Sequence, residues 1–78
     1  MLAIIMVIVD GQTLIIGVGD LVKFKIGNNP VENGEVVEIF PSGLMFVRIA
    51  LQVTIWNNGS PKKTGFDVPI KPENIILP

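Results

Sequence analysis

The chain has 78 residues, no cysteine and no histidine, and a formal net charge of −1. Those numbers exclude disulfide bracing, and they exclude the histidine- and thiolate-based chemistry on which most zinc sites and nucleophilic catalysts depend. Charged residues make up only 17% while hydrophobic ones reach 49%, so the expectation is a single domain over 1–78 with more apolar side chain than it can bury, and short runs of strand period with no helix-period segment make it all-β.

Residues 2–9, Leu-Ala-Ile-Ile-Met-Val-Ile-Val, form the longest apolar run once Met1 is included. It is half the length of about 18 residues required of a membrane span, and no Lys or Arg precedes it. The reading is therefore a soluble, cytoplasmic chain with no membrane partner. Asp10-Gly11 follows, and then Gln12-Thr-Leu-Ile-Ile16. Asp-Gly between two apolar runs predicts a hairpin closed by a type I′ turn. In that register Val9 faces Gln12, Val7 faces Leu14 and Ile5 faces Ile16 on one side. Ile8 with Thr13, Met6 with Ile15 and Ile4 with Gly17 share the other. Both sides are apolar, which a sheet with one face in water does not tolerate. Leu2, Ile4, Met6, Ile8 and Ile15 are accordingly the candidate oligomer interface, and a homo-oligomer or a protein partner is the expected cover. The competing expectation is that the rest of the domain wraps the hairpin.

Gly17-Val-Gly-Asp20 reads as a turn. In Leu21 to Ile26, Val22, Phe24 and Ile26 alternate with Lys23 and Lys25, the pattern of a half-buried strand with a solvated basic side. Gly27 to Gly34 carries loop punctuation. Glu35 to Phe40 is the next strand, with a bulge at Gly34-Glu35 deciding whether Val36 or Val37 points inward. Pro41-Ser-Gly43 turns the chain into Leu44 to Trp56, a strand longer than usual that must bend, with Ala50 as the place. Asn57 to Gly65 reads as a second polar loop. Phe66, Val68 and Ile70 form an edge strand marked by Pro69 and Pro72. Pro72-Glu-Asn74 is a single helical turn before a closing strand at Ile75 to Leu77.

Gly19-Asp-Leu-Val22, Gly34-Glu-Val-Val-Glu-Ile39, Ser42-Gly43 leading to Phe46-Val-Arg-Ile49, and Phe66 to Ile70 running into Pro72-Glu-Asn-Ile75 together resemble KOW-type and related Src-homology-3-like small β-barrels. The resemblance covers about 17–77. It implies a small, strongly bent antiparallel five-stranded barrel, to which 1–16 adds an N-terminal β-hairpin. It also implies RNA or protein as partner, and nucleic acid would be held by Arg48, Lys62 and Lys63. The chain departs from that pattern in charge: 27–38 holds Glu32, Glu35 and Glu38 with no Lys or Arg.

Residues that carry chemistry are few. Ser42 and Ser60 have no base beside them, and Glu35 and Glu38 fall on opposite sides of a regular strand unless a bulge realigns them. No catalytic, metal or cofactor residue is assigned, and no small-molecule substrate. Trp56 with Pro61-Lys62-Lys63 is the one candidate ligand surface, joined by Arg48, since an aromatic beside basic residues can stack a base or clamp an acidic partner. The alternative is a barrel-end cap with solvated lysines. Two functions remain: a non-catalytic interaction or assembly module working through the hairpin, and nucleic-acid or ribonucleoprotein binding through the Arg48, Lys62 and Lys63 surface. A third, weaker expectation is a subunit that covers a patch on a larger enzyme.

Overall fold

The computed structural model describes residues 1–55, 58–59 and 61–78, with the backbone alone over 50–55 and 61–64. Among the described residues seven strands run in order: β1 (Ile4–Val9), β2 (Gln12–Gly17), β3 (Leu21–Phe24), β4 (Glu32–Ile39), β5 (Met45–Ile55), β6 (Pro61–Ile70) and β7 (Ile75–Ile76). A 3₁₀ turn at Pro72–Asn74 precedes β7. Among the described residues there is no α-helix, and no helix long and apolar enough to cross a membrane.

β1 and β2 form a two-stranded antiparallel sheet in the register expected from Asp10-Gly11, with Met6 opposite Ile15 and Val9 opposite Gln12. Both turn residues have positive φ, 49° at Asp10 and 77° at Gly11, as a type I′ turn demands. The other five strands form one antiparallel sheet in the order β6-β5-β4-β3-β7. β6 and β7 are its edges, so this sheet is not closed into the expected barrel. The hairpin packs on it as a second layer. Val7, Val9 and Ile16 enter the same core as Phe24, Val36 and Ile39. Met45, Val47, Ile70 and Ile75 complete the buried cluster described, and among the described residues no polar side chain is buried with them.

Three features differ from the sequence-based expectation. First, the bulge in β4 lies at Val37, where the register steps between Val36 and Glu38 opposite Val47 and Phe46, and not at Gly34-Glu35. The extra residue lets Val36 and Ile39 both point inward, which strict alternation forbids. Second, β4 begins at Glu32, so Asn33-Gly34 lies within the strand. Gly34 is required there because a Cβ would press on the Val47 side chain and stand 2.9 Å from the Arg48 carbonyl oxygen. Third, 61–65 belongs to β6 and not to a loop, and the register steps where Ala50 and Leu51 oppose Gly65. The bend in β5 is thus a bulge at the place expected for it.

The joint between the two layers is hydrogen-bonded. Leu2 N–H donates to the Ile39 carbonyl at 2.8 Å and Gly19 N–H to Val36 at 2.7 Å. Gly17 N–H donates to Asp20 Oδ2 at 2.7 Å, and Asp20 N–H returns to the Gly17 carbonyl at 3.1 Å. Short side chains that accept from nearby backbone favour such turns. At the far end Asn74 ties the 3₁₀ turn to β3. Its Oδ1 accepts from Lys71 N–H at 2.9 Å, its Nδ2 donates to the Lys25 carbonyl at 3.3 Å, and its own carbonyl accepts from Lys25 N–H at 2.9 Å.

Candidate interaction surface

Period-2 alternation gives the hairpin two sides, and the core takes only one. Ile4, Met6, Ile8 and Ile15 lie on the outer side and are 62–75% exposed. They are cross-strand or next-but-one neighbours in the register, so they form one patch. Its accessible area is on the order of 500 Å², near the top of the range for the largest apolar patch on a monomer. Leu2 sits at its rim, tied by its N–H to Ile39 and less exposed. The patch continues to Leu21, which sequence reasoning left out. Leu21 is exposed on the same side of β3 as Lys23; the available signal was an apolar residue at an outward position of an alternating strand.

Beside Ile15 and Leu21 lies an open groove of about 250 Å³, also lined by Leu14, Ile16, Val22 and Ile75. Asp20 and Lys23 are its charged residues, and the Asp20 carboxylate is already engaged by Gly17. Nothing in this set supplies a nucleophile with a base beside it. Among the described residues no three Asp or Glu converge to hold a metal.

The hairpin's backbone is as informative as its side chains. Val18 N–H donates to the Ala3 carbonyl at 3.1 Å, which sets the phase of the β1–β2 ladder. Ala3, Ile5, Val7 and Val9 turn their polar groups toward β2. Ile4, Met6 and Ile8 turn theirs outward, since hydrogen-bonded and non-bonded pairs alternate along an antiparallel ladder. On β2 the outward N–H of Gly17 is occupied by Asp20. On β1 the corresponding groups of Ile4, Met6 and Ile8 have no partner among the described residues.

Of the second candidate surface, Arg48 alone has a described side chain. Arg48 sits opposite Asp67 on β6 and Glu35 on β4. Its Nε lies 2.8 Å from Asp67 Oδ1 and its Nη2 3.2 Å from Oδ2, a bidentate pair on the solvent side. The hydrogen bond and charge of Asp67, with a smaller contribution from Glu35, raise the Arg48 pKa above its ordinary value. Arg48 is thus an exposed cation paired with a carboxylate on the neighbouring strand. Trp56 lies outside the described residues, as do the side chains of Lys62 and Lys63. Phe66 shares a side with Ile70 but stands exposed, opposite Ile49. No family model matches the chain, and no curated protein or solved structure matches it either.

Proposed function

We propose that this chain is a non-catalytic assembly module that self-associates through the outer side of its N-terminal hairpin. The observation that supports it is the exposed patch of Ile4, Met6, Ile8 and Ile15 on an ordered, two-residue-turn hairpin. Packing two such patches together buries about 1,000 Å² in all, and extension over Leu21 and Val18 takes the total toward the lower end of specific interfaces. A second copy suits the patch because it is the one partner certain to present equally apolar, charge-free chemistry. The five-stranded sheet, with its 3₁₀ turn before the last strand, belongs to the same reading as a Src-homology-3-like element to which the hairpin is added. The pairing of Arg48 with Asp67 favours assembly over nucleic-acid binding. Sedimentation equilibrium from low to high micromolar concentration tests the reading. The expected result is a mass that rises by at least a factor of two; a constant monomer mass rejects it.

A further inference from the structure

Among the described residues the sheets present four strand edges, and β1 offers the longest free one. Exposed edges are normally blunted by proline, charge, shortness or a cap. β6 carries Pro61 and Pro69 with Lys62 and Lys63 in its sequence, and β7 has two residues. β2 keeps outward groups only at Thr13 and Ile15, since Gly17 N–H is taken by Asp20. From Ala3 to Val9 β1 contains no charge, no proline and no bulge, and its outward backbone groups at Ile4, Met6 and Ile8 are unpartnered among the described residues.

We infer that β1 pairs antiparallel with β1 of a second copy about a twofold axis at Met6. This rests on the assembly reading above and specifies its geometry. The axis follows from where the free edge begins and ends. Leu2 N–H is taken by Ile39, and Asp10 starts the turn, so the free stretch runs from Ala3 to Val9 with Met6 at its middle. Outward groups must meet outward groups across an antiparallel ladder. Met6 then faces Met6 of the other copy, and Ile4 faces Ile8, a register that reads the same from both chains, as an isologous contact must. Area points the same way. Face-to-face packing alone gives about 1,000 Å² against the ~1,600 Å² of a standard interface. Edge pairing supplies backbone hydrogen bonds and joins two hairpins into one four-stranded sheet, β2-β1-β1-β2. Its outer side then doubles the apolar patch, and two such sheets stacked through that side give a tetramer with 222 symmetry.

The chain has no cysteine, so single-cysteine variants read the geometry directly. Directly opposed residues in a hydrogen-bonded antiparallel pair have Cα atoms about 5.5 Å apart, within disulfide reach, whereas stacked sheets stand about 10 Å apart, beyond it. Under mild oxidation Met6→Cys is expected to form a covalent dimer at least ~10-fold faster than Thr13→Cys on β2. A 1:1 mixture of Ile4→Cys and Ile8→Cys is expected to give the heterodimer in preference to either homodimer, which guards against a local effect at Met6. Light scattering on each reduced variant accompanies the cross-linking. Association without these cross-links overturns the edge pairing and leaves the stacked face. A monomer in the reduced wild-type protein overturns both.

Discussion

Ile15→Asp is expected to abolish stacking through the outer side of the hairpin while leaving the subunit folded. Ile15 lies on β2, away from the free edge of β1, and its side chain is mostly in solvent. The single chain therefore loses little, within about 1 kcal/mol, the range of strand propensity at an exposed position. The interface loses much more. Burying one isoleucine contributes roughly 1.5–3 kcal/mol, and a twofold contact contains it twice. The sum, about 3–6 kcal/mol before the desolvation of two carboxylates, corresponds to roughly 10²- to 10⁴-fold in the dissociation constant. A sedimentation isotherm of the variant checks the affinity, and thermal unfolding checks the fold. Because association stabilises the native state by mass action, the midpoint of the wild-type protein should rise with concentration more steeply than that of the variant. An unchanged isotherm would place the contact elsewhere.

Phe24→Ala is expected to cost the domain most of its stability. Among the described residues Phe24 is the largest fully buried side chain, on the four-residue strand β3 that joins β4 to β7. Truncating a buried phenylalanine costs about 3–5 kcal/mol, from lost transfer energy and the cavity left behind. A 78-residue chain at about 0.05–0.15 kcal/mol per residue has about 4–12 kcal/mol in total. The variant should therefore unfold at a much lower urea midpoint with an unchanged slope. A midpoint within experimental error of the wild type would contradict a core shared by hairpin and sheet. Phe66→Ala is the contrast: Phe66 stands exposed at the end of that same side, so its removal should scarcely move the midpoint.

The hairpin was legible residue by residue because Asp10-Gly11 dictates the turn and the turn dictates the register. β3 was legible because lysines alternate with Val22 and Phe24. The rest depended on contacts between distant segments. Val36 and Val37 are the same residue, and only packing against Val47 and the hairpin decides which goes inward. Pro61-Lys-Lys-Thr-Gly65 has the composition of a loop, yet it pairs with β5, which no local signal announces. The expected barrel required β7 to reach another edge, and its two residues bond only to β3. The apolar patch was visible as a surplus: a strand pair oily on both sides, in a domain with one core, must leave one side outside. The pairing of Arg48 was invisible, since Asp67 lies 19 residues away and meets it only through the β5–β6 register.

The assembly claim is tested most directly by methyl NMR with a soluble paramagnetic agent, comparing dilute and concentrated protein. The hairpin methyls of Ile4, Ile8 and Ile15 should be broadened by the agent at low concentration and shielded at high concentration, approaching the buried Ile16 and Ile75. Val31, exposed and distant from the hairpin in sequence, should stay accessible throughout. If Ile4, Ile8 and Ile15 remain as accessible as Val31 at every concentration, the outer side of the hairpin is not an interface between copies.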